Sequence, residues 1–277
     1  MAEDMIDTVA DHLVAERLAE HHTAQDAPWA WLAAAEPYRL RFGHEFATFT
    51  HFTPGLLAAL ARHPVTGGLL VAADDDPSAV DDLAEATAIA NLPELTLADR
   101  TSYRDALLRL YRKLPLRARD VTGGEVLCVG PEREGRQLAE DLGALPRGRS
   151  LTPSAKRISL DGGILVGMSA LPGETPYRHC AIIDGVVASG ATVMALMQAL
   201  PRGVERVTLL TAQSTAAGAR SILRYGELLG LRTQVVVGVV SGVLDSSFYA
   251  HDEHDPDRLV LGDVGDTISG LSAGGTP

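Results

Sequence analysis

The 277 residues include only two cysteines. Cys128 and Cys180 stand in apolar, strand-like surroundings with no CxxC spacing. That excludes a disulfide framework and a cysteine metal cluster, and it reads as small core residues of a reduced, cytoplasmic protein. Long apolar runs are missing too. No uninterrupted stretch could span a bilayer, and the opening MAEDMIDTVADHL lacks the basic start and apolar centre of a secretory signal. The expectation is therefore no membrane partner. Positive charge is scarce, with 24 Lys and Arg against 36 Asp and Glu and a formal net charge of −12. A nucleic-acid surface needs a basic face, so DNA and RNA are poor partners. An acidic chain can still hold a polyphosphate through backbone N–H groups, a few placed cations and a metal ion.

What remains is an ordinary globular balance, 46% hydrophobic and 22% charged, long enough for one large domain or two smaller ones. Residues 1–118 read as a helical domain that builds an interface or a lid. Met5, Ile6, Val9, Leu13, Val14 and Leu18 make an apolar stripe. Thr53–Pro54 and Asp76–Pro77 are N-cap and N1 pairs opening TPGLLAALARH and PSAVDDLAEATAIANL. TSYRDALLRLYRKL predicts a third helix capped by Thr101 or Ser102.

The rhythm changes after the Gly-rich connector near residue 120. GEVLCVG, HCAIIDG, ERVTLLTAQ and LRTQVVVGVV are apolar strands, and helical segments such as STAAGARSILRYGELLG and REGRQLAEDLG alternate with them. Asp161–Gly162 marks a hairpin inside RISLDGGILVG. The fold class is α/β, a mostly parallel sheet flanked by helices over 122–277, preceded by the all-helical domain. Ligands of such sheets bind beyond the carboxyl ends of the strands.

One of those ends stands out. In HCAIIDGVVASGATVMALMQAL a buried strand stops on Asp184, Gly185 to Ala191 make a nearly side-chain-free turn, and Thr192 opens a helix. Small residues allow close approach, successive N–H groups form an anion-binding concavity, and the helix dipole adds roughly +0.5 charge at its N-terminus. Ser189 and Thr192 add hydroxyl donors, so the turn predicts a phosphate. With no Lys in the loop it is not a GxxxxGK[ST] loop, and it is not GxGxxG either. A carboxylate beside a phosphate cradle needs a neutral group between them. A ribose fits, its hydroxyls donating to Asp184 and its 5′-phosphate seated in the turn. A plain strand–turn–helix connection is the other reading of the same residues.

Four segments together resemble the phosphoribosyltransferases, specifically the uracil type. The family's D-P-M-L-A-T-G-G-[ST] looks like DGVVASGAT (184–192), with Gly185 where the uracil enzymes carry Pro and others a second acid. V-P-I-L-R-A-G looks like VGPEREG, placing Arg133 on its arginine and Gly135 on its glycine. I-D-x-x-L-N resembles LDSSFY at Asp245, and G-L-G-D-A-G-D-x-I-F-G resembles VLGDVGDTISG over 260–270.

The resemblance implies Mg2+-dependent transfer of the 5-phosphoribosyl group from phosphoribosyl pyrophosphate to a uracil-like base. It assigns Asp184, Gly185, Ala188, Ser189, Gly190, Ala191 and Thr192 to the donor's ribose phosphate, and Arg133 to its pyrophosphate. Asp263 reaches the donor and, with Gly262, Val264 and Asp257, lines the base pocket. Asp184, Arg133 and Asp263 are the catalytic set, in a homodimer or higher oligomer. Such chemistry breaks a C–O bond through an oxocarbenium-like state, so positioning and charge neutralisation suffice without a nucleophilic triad.

Three departures bear on the acceptor. The family's M-Y-R and P-Y-F-x-K-L-P stretches are replaced by the shorter ISLDGGILVGMSALPGETPYRHC, whose cations are Arg157, just ahead of it, and Arg178. DPDRLVL stands where G-Y-[IV]-[IV]-P-G reads uracil. The segment from Asp245 to Asp263 is also longer than in the family. A non-uracil heterocycle or phenol of specialised metabolism fits these departures, and so does a non-catalytic sensor of phosphoribosyl pyrophosphate. The DEHDPD run reads as a solvated loop. His44, Glu45 and His51 lack HExxH spacing and read as surface or interface residues.

Overall fold

A computed structural model describes residues 19–23, 46–64, 67–114, 126–131, 150–160, 163–246 and 248–254. Its centre is a six-stranded, all-parallel sheet in the order β3-β10-β9-β8-β4-β5. These strands are Leu69–Val71 (β3), Val126–Val129 (β4), Ser150–Leu151 (β5), His179–Val187 (β8), Arg206–Ser214 (β9) and Arg232–Val240 (β10). The runs VLCV, HCAII and QVVVGVV are apolar on both faces, as a sheet covered twice requires.

One face carries Leu127, Val129, Cys180, Ile182, Val207, Leu209, Val235 and Val237. Pro54–Arg62 (α1), Ala191–Ala199 (α5) and Ala216–Leu228 (α6) cover it. So does a four-stranded antiparallel sheet, β1-β2-β7-β6, built from Glu20–Thr23 (β1), Thr48–Phe52 (β2), Ala155–Leu160 (β6) and Gly163–Met168 (β7). Asp161–Gly162 falls between β6 and β7 as the hairpin pattern predicts, since Leu160 pairs with Gly163.

The opposite face presents Val126, Cys128, Ala181, Ile183, Leu210 and Val236. A single turn, Ala72–Asp75 (α2), and the helices Ser78–Ala90 (α3) and Leu97–Lys113 (α4) cover it through Ala79, Leu83, Tyr103, Leu107 and Leu110. Asp82 of α3 ties the helices together, accepting from Arg109 Nε at 2.9 Å and pairing with Lys113 of α4. Cys128 and Cys180 are buried in adjacent strands facing opposite layers, and burial pushes the Cys128 thiol up to about 11.

Two expectations are corrected here. Residues 1–118 are not all helical, because β1 and β2 enter the antiparallel sheet and β3 forms one edge of the parallel sheet. These strands have at most five residues, and their partners lie far along the chain, at Leu165 for His51 and at Val235 for Leu69. The helix expected from Thr101 or Ser102 begins at Leu97. Thr96 caps it, accepting from the Asp99 N–H while Asp99 accepts from the Thr96 N–H, a reciprocal box. The expected helices over 5–18 and REGRQLAEDLG, and the boundary near 120, lie outside the described residues.

Candidate functional site

The chain leaves β4 outward toward β5 and leaves β8 in the other direction toward β9, so the topology reverses between β4 and β8. Open parallel sheets bind ligands in the crevice at that point, beyond the strand carboxyl ends. Val129 pairs with Ile182, and Gly130 then donates its N–H to Leu151 of β5 at 3.1 Å. The ladder between β4 and β8 therefore ends two residues before Asp184.

The predicted stop on Asp184 is corrected as well. β8 continues to Val187, because Asp184, Val186 and Val187 pair with Thr211, Gln213 and Ser214 of β9. The strand is irregular at this place. Ile183 and Val186 face the same helical layer although three residues apart, and Ile182 and Val187 both face the other layer. The two-residue alternation therefore slips across Asp184–Gly185.

The turn proper is Ala188–Gly190, and α5 starts at Ala191, one residue earlier than predicted. Gly190 caps it at φ 82, the left-handed region that a side chain rarely adopts. No side chain caps the helix, and the first ladder bond runs from the Met194 N–H to the Gly190 carbonyl at 2.9 Å. The N–H groups of Thr192 and Val193 therefore precede the ladder, and Ala191 donates only a long 3.4 Å bond to the buried Ser189 Oγ.

The N-terminus of α6 holds the turn from behind. Thr215 donates its N–H to Val187 O at 2.9 Å and its hydroxyl to Ala188 O at 2.6 Å. A trans peptide points its C=O and N–H in opposite directions, so the N–H groups of Ala188 and Ser189 are turned away from Thr215. The backbone of α6 comes so close that a Cβ on Gly218 would lie 2.2 Å from Ala188 O. With its carbonyls held back, the turn offers donors forward, which is the geometry of an anion cradle.

Asp184 is half-buried, and no described residue forms an ion pair with it. Burial pushes its carboxyl up to about 7, with the Gly185 N–H pulling in the other direction. A carboxyl poised there can accept from a sugar's hydroxyl groups or take up a proton.

Of the sequence-predicted residues, the structure brings together Asp184, Gly185, Ala188, Ser189, Gly190, Ala191 and Thr192. Arg133, Asp257, Gly262, Asp263 and Val264 lie outside the described residues. Arg178 stands at the opposite end of β8 from the turn. It pairs with Glu205 at 2.6 Å just ahead of β8 and β9, roughly 20 Å along the strand from Asp184 at ~3.3 Å per residue. Arg157, on β6, lies 4.3 Å over the Tyr249 ring. Tyr249 belongs to the short ribbon of Val243–Leu244 (β11) and Ala250–His251 (β12). Asp245 organises that ribbon, accepting from the Tyr249 N–H at 2.8 Å and pairing with His251 at 3.0 Å, with Phe248 at φ 64 between them.

Sequence reasoning missed Tyr111 and Thr211. The Tyr111 hydroxyl donates to Asp184 O at 2.7 Å, and the Thr211 hydroxyl lies 3.0 Å from Gly185 O. Neither carries a local signal, since each reaches β8 through tertiary packing.

No protein-family model matches the chain, and no curated protein matches it. The structure of AQ2163 protein from Aquifex aeolicus superposes with a TM-score of 0.51 at 18% identity, covering 72% of this chain and 97% of that one. Adenine phosphoribosyl transferase from Trypanosoma brucei, in complex with AMP, pyrophosphate and ribose-5-phosphate, superposes at 0.39 and 11% identity, over 57% and 78%. Orotate phosphoribosyltransferase from Aeropyrum pernix gives 0.35 and 14%, over 52% and 76%. The first of these likenesses is one of fold.

Proposed function

We propose that this chain binds phosphoribosyl pyrophosphate at the Asp184–Thr192 turn. It transfers the 5-phosphoribosyl group to a ring nitrogen of a small, uracil-like heterocycle and releases pyrophosphate. One observation carries the reading. At the switch point, the carbonyls of Val187 and Ala188 are tied to Thr215, leaving a row of N–H groups beside a carboxyl that forms no ion pair among the described residues. A sugar phosphate matches both halves of that arrangement, the phosphate on the N–H groups and the ribose hydroxyls on Asp184.

In the reaction, the bond from C1 to the pyrophosphate oxygen breaks and a bond from C1 to the acceptor nitrogen forms, the acceptor giving up its N–H proton. The turn and Asp184 hold the ribose so that C1 meets the acceptor in line. Arg133 and Asp263 complete the donor site in this reading, with Gly262, Val264 and Asp257 at the base. Mg2+ fits the donor set, because Asp184 offers hard carboxylate oxygens and forms no ion pair among the described residues. The ion would supply charge neutralisation for the leaving pyrophosphate. The protein works in this reading as a cytoplasmic homo-oligomer.

A second reading, a sensor that binds the donor without turnover, is favoured by the route of the chain between β7 and β8. Thr175 donates to Arg202 O at 3.1 Å, and Arg202 donates to Gly173 O at 3.0 Å. That segment therefore runs along the amino end of the sheet and brings no cation to the turn.

The deciding experiment incubates the full chain with phosphoribosyl pyrophosphate, Mg2+ and a panel of uracil, other heterocycles and phenols. Pyrophosphate release is measured alongside calorimetric binding. Release with uracil supports the first assignment, and release with another acceptor keeps the chemistry but changes the substrate. Tight binding with no release means a sensor. No binding overturns the proposal.

A further inference from the structure

The amino end of the parallel sheet, opposite the turn, is basic. β8, β9 and β10 open on His179, Arg206 and Arg232, which are register partners across the three strands. Neighbouring strands lie about 4.8 Å apart, so the two arginines start side by side. Both are exposed, and Arg202 is exposed just ahead of β9. Among the described residues none of these three arginines forms an ion pair, whereas Arg178 beside them is matched by Glu205. Like charges in register oppose strand pairing, and in a chain of net charge −12 a neutralising carboxylate would be easy to supply.

The same end is also apolar. The Tyr111 hydroxyl reaches Asp184 O, which puts the foot of α4 at the carboxyl end of the sheet. Lys113 there bonds Ser78 at the head of α3. The tip joining α3 to α4 therefore lies at the amino end, with Leu92 and Leu97 exposed, Leu97 by 70%. Arg206 and Arg232 stand four residues before Leu210 and Val236, so alternation turns them to the face that this hairpin covers. Leucines and unpaired arginines thus share one end and one face.

We infer that this end docks a second copy of the chain, head to tail, through the acidic carboxyl end of that copy. Asp74 and Asp75 of α2 follow β3 directly, and Asp81 lies in the first turn of α3. All three are exposed and form no ion pair among the described residues. Val80, 48% exposed, adjoins Asp81 much as the leucines adjoin the arginines. The two patches therefore match in charge and in apolar content, at opposite ends of one sheet. An exposed ion pair alone contributes little, so the leucines and Val80 supply the surface removed from water. Joining unlike ends is a heterologous contact, which closes as a ring or continues as a filament. A net charge of −12 disfavours indiscriminate association, so contact gains only in this orientation. The inference goes beyond the proposed function, which names no surface between copies, and it stands without it.

The test measures sedimentation of the full chain at several concentrations in roughly 0.15 M salt, where overall repulsion is screened beyond about 8 Å. One variant carries Arg206→Glu and Arg232→Glu, and a second carries Asp74→Lys and Asp75→Lys. The parent should associate. Each variant alone should associate at least about tenfold more weakly, since both its ends then bear one sign. Mixed in equal amounts, the two variants should recover association to within about threefold of the parent, because unlike ends meet again. Loss in both variants with recovery on mixing supports the inference.

A parent that stays monomeric at every concentration overturns it. So do variants that associate as the parent does, and so does a mixture that remains apart. Should either reversal not fold, Arg206→Gln with Arg232→Gln, or Asp74→Asn with Asp75→Asn, takes its place. Weakened association in the neutral pair then supports the inference, and undiminished association overturns it.

Discussion

The Thr215 hydroxyl donates to Ala188 O at 2.6 Å while its oxygen accepts the Gly218 N–H at 2.9 Å. One side chain caps α6 and holds the Ala188–Gly190 turn to it. Thr215→Val keeps the shape and removes both bonds. The loss of a cap costs about 1–2 kcal/mol, and the released Ala188 carbonyl is free to turn. Thermal unfolding should report the first effect. A calorimetric titration with inorganic phosphate should report the second as at least about a tenfold loss of affinity.

Gly218→Ala should go against the usual helix rule. Alanine in a helix interior normally gains about 1 kcal/mol over glycine. Here the new Cβ would stand 2.2 Å from Ala188 O and 2.9 Å from Val187 Cγ1, so the backbone of α6 or of the turn must move. Denaturant unfolding should show a loss of about 2 kcal/mol or more, and phosphate binding should drop with it. A stabilised variant with intact binding would mean that the contact is looser than this structure has it.

Asp184→Asn separates binding from stability. The folded carboxyl is raised by burial to about 7, above the ordinary value of 3.8, so the folded state holds a proton that the unfolded state has released. Stability attributable to this group is therefore full below about pH 4 and declines as pH rises toward 7. Asparagine carries no charge at any pH. The variant should match the parent at pH 4 and exceed it at pH 8 by about 2–4 kcal/mol, measured by denaturant melts at both pH values. It should also bind phosphoribosyl pyrophosphate more weakly. A variant destabilised at pH 8 would overturn the assignment of a desolvated carboxyl.

Asp82 shows the opposite case. Burial raises its pKa, but the bonds from Lys113 and Arg109 outweigh that, and the net direction is down. Its contribution is present above the ordinary carboxylate pKa and lost as pH falls below about 4. Asp82→Ala removes the carboxylate shared by Arg109 and Lys113 of α4, while Arg109 keeps Glu85, and should cost about 1–2 kcal/mol near pH 7. The difference from the parent should narrow in acid, which a pair of pH-dependent melts would show.

The elements that can be read from sequence are those whose signals are local. The strand–turn–helix at Asp184 announces itself through an apolar run, small residues and a second apolar run, and Thr53–Pro54 and Thr215 mark helix starts by chemistry alone. What escapes is what depends on distance along the chain. Leu69–Val71 is three ordinary residues until Val235–Val237 arrives to pair with them. Thr48–Phe52 lies in a histidine-bearing stretch that reads equally well as helix. The Thr96–Asp99 box is local chemistry too, but its Thr96 lies five residues ahead of Thr101, where the periodic segment begins. Tyr111 at the Asp184 carbonyl has no sequence signature, because nothing local distinguishes it from Tyr103, the other core aromatic of α4.

The order in which the two helical coverings occur along the chain has a consequence for biosynthesis. Helices α3 and α4 leave the ribosome with Leu83, Tyr103, Leu107 and Leu110 displayed on one side, yet Ile183, Leu210 and Val236, which they cover, are translated much later. The hairpin of α3 and α4, clasped by Asp82, must wait with a sticky flank in water until nearly the whole polypeptide has emerged. Truncated nascent chains ending before β8 should therefore recruit holding chaperones, whereas chains that include β10 release them.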